Sequence, residues 1–426
     1  MGMLLQSQGK LDRAEPLLME SLKIRRQDLG NQHPDTLISI NNLGTLLKAQ
    51  GKFSEARALL TEALTASRQV LGDWNPNTLF CISNLGALLQ AQGNLGEAEP
   101  LLREALASRR KVLGIQHPYT LISMNNLGHL WRVQGKLGAA EPLLREALRS
   151  RRQVLGDRHP DTLFSINNLG RLLQVQGKSE EAEPLCREAE QISRIAMGNH
   201  HTLTLTAINN LGMLLHAQGK LAEAEPLLRE GLTIRRRALG DRHQDTLTSI
   251  NNLGALLRAR GKLGEAEPLF REDLSTTRQV LGNSHPDTLI SINNLGVLLK
   301  AQGKLDEAEP LLTEALATSR QVLGDRHPDS LVSMCNLAAL YLAQPGKPHW
   351  KEAHELLQSA VHISLDTLGA SHPYTKAIMG HALKAGVVQK EDSSMMILAQ
   401  SFVGWALVGA AVVLLISRSR QRQHLG

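Results

Sequence analysis

The sequence predicts an all-α protein, a solenoid of stacked helix-turn-helix repeats followed by one C-terminal transmembrane helix. Three observations lead there. The tetrapeptide His-Pro-Asp-Thr and its variants recur at steps of 42 residues. Between recurrences, apolar residues fall three and four apart, the spacing of one face of a helix. The stretch Met395 to Ile416 is apolar apart from Gln400 and Ser401.

The period is held without slippage. The leading His stands at His33, His117, His159, His201, His243, His285 and His327, and Asn75 fills the missing slot. The next copy brings His372, three residues late, and the stretch AQPGKPHWKEA from Ala343 absorbs the slip as a loop. Each unit reads as two helices. His-Pro-Asp-Thr starts the first, because Pro suits the first helical position and Asp favours the positive dipole end. Gly51, Gly93 and Gly135 take the left-handed stop that ends it. The second helix starts near Ser54 and ends at Gly72, with Gly114 and Gly156 in the same role one and two units on. Pro100, Pro142 and Pro226 fall early in that helix, where a missing N–H costs little. Glu99/Arg103, Glu141/Arg145 and Glu225/Arg229 form supporting pairs on a solvated face. A row of histidines 42 residues apart cannot converge on a metal, so the repeated His is a helix-start residue.

The buried side follows from the apolar spacing. Ile40, Leu43, Gly44 and Leu47 share one face of the first helix. Gly44 recurs as Gly86, Gly128, Gly170, Gly212, Gly254 and Gly296, with Ala338 last. Ala56 opposes it and recurs as Ala98, Ala140, Ala182, Ala224, Ala266 and Ala308. Small residues at fixed places let two helix axes approach closely, and each hairpin must stack on the next to bury its faces.

Leu43-Gly44, Ala56 and Ala63 stand at the offsets of the tetratricopeptide repeat, and the chain resembles that family. With "NNLG", "AQGK", "EAEPLLREAL" and "G..HPDT" in a 42-residue unit, it looks most like the kinesin light chain subclass over about residues 1–372. Where the general family carries bulky aromatics, this chain has Ile40, Leu47 and Leu60. The heptad-rich segment that joins kinesin light chains to the motor chain does not precede the repeats in this sequence. The resemblance implies a right-handed superhelical solenoid whose first helices line a concave side.

That side is read as Ile38, Asn41, Asn42, Thr45 and Lys48. Asn42 recurs as Asn84, Asn126, Asn168, Asn210, Asn252, Asn294 and Asn336. An amide can hydrogen-bond a peptide backbone in either sense, and related repeats use an Asn here to grip ligand backbone or a carboxylate. The alternative is that these amides bond the neighbouring repeat and stiffen the stack. One turn on, the slot reads Lys48, Gln90, Arg132, Gln174, His216, Arg258 and Lys300, with no acid in it. Arg171 and His129 add positive character. Such a groove favours an acidic or carboxylate-bearing peptide; the alternative is a solvated edge.

Composition narrows the function classes. Aromatics are 3% of the 426 residues, so the core is aliphatic. Net charge is +6, three units of which belong to Arg418, Arg420 and Arg422. The remainder is too mild for a nucleic-acid binder, and the concave side offers mainly Phe80 and Phe164 for base stacking. Cys81, Cys186 and Cys335 match no ligand spacing, point to a reducing compartment and read as packing or solvent-facing thiols. No phosphate loop, metal-binding His pair or nucleophile elbow occurs. The expectation is no enzyme, no cofactor, no metal and no small-molecule substrate.

The opening MGMLLQSQGKLD has no export signal and lacks the Ser or Thr of a myristoylation site. Residues 1–34 form a partial first repeat that begins in mid-helix. Residues 35–372 hold eight 42-residue units, the last with a three-residue insertion. Residues 373–389 form a capping helix, 390–394 a polar linker, 395–416 a span long enough to cross a bilayer core and 417–426 a basic tail. A span so near the terminus inserts as a tail anchor after synthesis, with the repeats in the cytosol. Its short basic flank favours the mitochondrial outer membrane or peroxisome over the endoplasmic reticulum. The sequence therefore reads as a protein–protein interaction scaffold or adaptor tethered at its C-terminus. The other reading is a fragment of a larger signalling or kinesin-light-chain-like transport adaptor that lacks its N-terminal region.

Overall fold

The computed structural model of the chain describes residues 1–7, 11–344, 346, 349–370 and 372–387. All regular elements among them are helices. They are α1 Gly2–Ser7, α2 Leu11–Leu29, α3 Pro34–Ala49, α4 Phe53–Leu71, α5 Pro76–Ala91, α6 Leu95–Leu113, α7 Pro118–Val133, α8 Leu137–Leu155 and α9 Pro160–Val175. There follow α10 Ser179–Met197, α11 Thr202–Ala217, α12 Leu221–Leu239, α13 Gln244–Ala259 and α14 Leu263–Leu281. The last are α15 Pro286–Ala301, α16 Leu305–Leu323, α17 Pro328–Tyr341, α18 Trp350–Leu368 and α19 Pro373–Lys384. The chain divides into two compact units, one of Met1–Leu172 and one starting at Leu173, and the division lies inside α9. Within each unit a helix packs on its sequence neighbours, and α3 touches α5, α5 touches α7, α11 touches α13 and α13 touches α15.

Each part of the recurring motif has a task at the corner between units. The glycine that ends the second helix takes positive φ, 83° at Gly72 and 85° at Gly114, a conformation that costs glycine least. Three residues on, the His side chain caps the next helix: His285 Nδ1 accepts the Asp287 N–H at 3.1 Å. Asn75 does the same with Oδ1, 2.9 Å from the Asn77 nitrogen, which explains why it can stand in for His. The Thr hydroxyl then reaches back to the carbonyl of the glycine, from Thr78 to Gly72 at 2.8 Å and from Thr288 to Gly282 at 2.8 Å. Helix end, turn and helix start are thus one hydrogen-bonded object.

Inside each hairpin the two axes approach as closely as a missing side chain allows. A Cβ at Gly128 would lie 2.6 Å from Leu144 Cδ2 and 2.7 Å from its Cγ; at Gly254 it would meet the Phe270 ring at 2.8 Å. Gly2 has the same relation to Leu18, so the register holds from the first helix. The opposing Ala56, Ala98 and Ala140 are fully buried. Aliphatic seams of Ile40, Leu43, Leu47 and Leu60 and their equivalents fill the rest of the core.

Two expectations need correction. Pro100, Pro142 and Pro226 sit at the sixth residue of their helices, beyond the first turn. Each forfeits one helical bond, but residues Gly96, Gly138 and Ala222, whose carbonyls are released, are exposed to solvent. Asn41 and Thr45, assigned to the open face, are buried, because stacking covers α3 on more than one side. Among the described residues no helix is long and apolar enough to cross a membrane. The expected linker 390–394, span 395–416 and tail 417–426 lie outside the described residues, as do 388–389 of the expected cap, whose described part is α19.

Gly128→Ala is expected to destabilise the chain by about 1–3 kcal/mol through overpacking against Leu144. Gly138→Ala, where an added Cβ meets nothing within 4 Å, should raise stability by about 0.5 kcal/mol. Urea unfolding of both variants separates the close approach from helix propensity; an equal effect would refute the packing argument.

Candidate functional site

The asparagine row is a set of bonds between units. Asn84 Nδ2 donates to Asn41 Oδ1 at 2.9 Å, and Asn168 to Asn125 at 3.1 Å. In the second unit Asn252 donates to Asn209 at 2.7 Å, Asn294 to Asn251 at 2.7 Å and Asn336 to Asn293 at 3.1 Å. Each donor meets the residue that precedes its own counterpart one repeat earlier. Asn210, Asn252 and Asn294 are buried, whereas Asn42, Asn84, Asn126, Asn168 and Asn336 are half-buried. The geometry gives the amides a stacking role and leaves only the half-buried ones within reach of a guest.

The cationic slot looks different. Lys48, Arg171, Arg258 and Lys300 are half-buried, and Arg132 is buried. In the second unit His216 on α11, Arg258 on α13 and Lys300 on α15 influence one another by charge. Burial first, then Arg258, pulls the His216 imidazole down to about 4, so it is neutral at physiological pH. Burial and Arg258 also lower Lys300, and burial lowers Arg258. Among the described residues, Arg258 and Lys300 have no carboxylate partner. Neither ring nitrogen of His216 has a hydrogen-bond partner there either, and the residue is 2% exposed. In the first unit, burial followed by the charges of Arg132 and Arg171 holds His129 well below its usual value. The Gln90 amide lies 2.8 Å from His129 Nδ1. Cations placed to repel one another, with water partly removed, favour an incoming anion.

The acids are spent elsewhere. Glu183 accepts from Lys220 at 2.8 Å, from Arg187 at 2.8 Å and from Gln218 at 3.0 Å. Those bonds, led by Lys220, hold its carboxyl at about 2. Glu267 is held at about 2 by Lys304, Gln302 and Arg271. Sequence spacing shows the i, i+4 arginine of each set and not the Lys and Gln, which come from the "AQGK" of the next repeat. A second ladder joins Arg236 to Glu272 and Arg278 to Glu314. Cys81, Cys186 and Cys335 are all buried, and burial pushes the Cys335 thiol up to about 12.

Sequence reasoning also missed a row of buried arginines. Arg109 is 2% exposed and Arg151 1%. Arg109 Nη1 donates to Ser123 Oγ at 2.6 Å and Ser83 Oγ at 3.1 Å, and its Nη2 to the Leu79 carbonyl at 3.2 Å. Arg151 reaches Ser165 Oγ and the Asp161 carbonyl, both at 2.8 Å. Arg235 reaches Ser249 Oγ at 2.6 Å. The signal was a slot that alternates Arg25, Ser67, Arg109, Arg151, Ser193, Arg235, Thr277 and Ser319.

The sequence profile of the tetratricopeptide repeat matches residues 1–69, 78–151, 129–195, 165–237, 203–272, 245–318 and 287–366, and the chain belongs to that family. Its members bind protein or peptide partners and are generally non-enzymatic scaffolds. Among solved structures the chain is similar to nearly identical TPR-like repeats assigned to a kinesin light chain of Podosopora anserina. That similarity is 27% identity over 48% of this chain and 97% of that one, with a TM-score of 0.42. It is also similar to BtubC (BKLC) of P. vanneervenii, 24% identical over 54% of this chain and 92% of that one, TM-score 0.44. A Rap protein complexed with Competence and Sporulation Factor covers 83% of this chain and 99% of its own at 12% identity, TM-score 0.49. Comparison with curated proteins gives no match.

Asn252→Ala removes a buried inter-repeat amide bond and is expected to cost about 1–3 kcal/mol. Asn84→Ala, at a half-buried pair, should cost about 0.5–1.5 kcal/mol. Chemical unfolding of the two variants checks the order; equal, negligible losses would remove the stacking role.

Proposed function

We propose that the chain is a non-enzymatic interaction scaffold whose row of cations on the first helices receives an acidic segment of a partner protein. The observation that carries this reading is the pair Arg258 and Lys300, which repel each other, are partly out of water and have no carboxylate partner among the described residues, with the neutral, buried His216 near Arg258. Carboxylates of an extended segment would relieve that repulsion. Within the first unit, Lys48, Arg132 and Arg171 would give the same preference, and the half-buried Asn42, Asn84, Asn126 and Asn168 there, and Asn336 in the second unit, would offer amides to a peptide backbone. Proteins of this family bind protein or peptide partners, which makes a peptide the fitting guest.

A fluorescent Glu/Asp-rich dodecapeptide should bind the full chain, and its affinity should fall as salt rises. Arg258→Glu with Lys300→Glu should weaken it by about tenfold or more, equivalent to about 1.4 kcal/mol, without lowering Tm. Equal binding of a Lys-rich peptide, or no loss in the double variant, would overturn the reading.

The apolar segment 395–416 would tether the scaffold to a membrane with the repeats in the cytosol, at the mitochondrial outer membrane or peroxisome. Its length and composition support this. After alkaline extraction of cell membranes, the full chain should stay in the pellet and a chain ending at Ser394 should appear in the supernatant. Release of both would exclude the anchor.

A further inference from the structure

The buried arginines define what one of their slots lacks. Four repeat steps of 42 residues after Arg109 the chain carries Thr277, and four steps after Ala105 it carries Asp273. By the same step Ser123 becomes Ser291, Ser83 becomes Asn251 and Leu79 becomes Leu247. These are the residues around the Arg109 guanidinium. The Phe80 and Tyr119 rings, whose centres lie 5.3 and 6.0 Å from its carbon, become Thr248 and Asp287. In the second unit this slot is a small pocket, partly open to solvent, lined by Asp273, Thr277, Asp287 and Ser291 among others.

Asp273 faces the pocket from α14 and is fully buried. Its Oδ2 lies 2.8 Å from Asn251 Nδ2 and 2.5 Å from Ser291 Oγ. Its Oδ1 is buried and has no hydrogen-bond partner among the described residues. Burial raises the carboxyl to about 8, the condition of an acid with no cation beside it. The sister repeats all have a small, uncharged residue here: Ser21, Ala63, Ala105, Ala147, Ala189, Gly231, Ala315 and Ala360. Ser67, Ser193 and Ser319 also replace the arginine, beside Ala63, Ala189 and Ala315; only the slot of Thr277 has gained a carboxyl.

We propose that the slot between α13, α14 and α15 is a guanidinium-binding site. There Asp273 Oδ1, Ser291 Oγ and the Asp287 carboxylate accept from an arginine side chain of a partner or from a free guanidinium compound. The planar fork matches a carboxylate better than an ammonium does. The site is independent of the cationic row on α11, α13 and α15, whose guest is an anion.

The test is calorimetric titration of the full chain with methylguanidinium chloride, with methylammonium chloride at equal ionic strength as control. Methylguanidinium should bind about tenfold tighter than methylammonium, a difference of about 1.4 kcal/mol. Asp273→Ala, which installs the sister residue, and Thr277→Arg, which supplies a guanidinium in place, should each weaken binding by about tenfold or more. A capped pentapeptide with a central arginine distinguishes the sources: tighter binding than methylguanidinium assigns a partner's side chain, and equal binding assigns a free compound. No selectivity over methylammonium, or unchanged binding in Thr277→Arg, overturns the proposal. So does a methylguanidinium-soaked crystal with only water beside Asp273. If Asp273→Ala fails to fold, Thr277→Arg still decides.

Discussion

The structure depends on one close approach. In seven hairpins, at Gly2, Gly44, Gly86, Gly128, Gly212, Gly254 and Gly296, a glycine of the first helix lies so near a leucine or phenylalanine of the second that a single Cβ would collide with it. That contact sets the distance between the two axes and the register of their seams. With the distance fixed, the second helix presents its inner small residue and, four positions later, its arginine or short polar residue at a constant height. The asparagine pairs and buried guanidiniums can form only because that height is the same in successive units.

Charge is sorted by helix. Acids gather on the second helices, where Glu99, Glu183, Glu225 and Glu267 each meet an arginine four positions on and a lysine from the following repeat. On the first helices of the second unit, Arg258 and Lys300 meet no carboxylate among the described residues. Cooperation within the stack and recognition of a guest therefore use different faces. The pairs that hold acids at about 2 are partly exposed, so their contribution lies in fixing register more than in binding energy.

Much of this was legible in the sequence because it is local. The glycine stops, the His caps, the proline starts and the small-residue faces depend on neighbours within a few positions. What was not legible depends on partners 10 to 43 positions away. Asn41 and Asn42 are adjacent and chemically identical, yet one accepts across the stack while residues at the other position donate, and no periodicity separates those roles. Thr45 was assigned to an open face because its helix was considered alone; stacking covers it. Asp273 was hidden for the opposite reason. A repeat invites averaging, and the one residue that departs from the pattern is lost in the average.

The corner formed by glycine, histidine and threonine has a consequence for how such a gene can change. The junctions use the same groups or close stand-ins, Asn75 for the His and Ser330 for the Thr, so misaligned crossing-over that adds or deletes whole units joins compatible ends. Chain reach can drift between generations while each remaining seam stays closed.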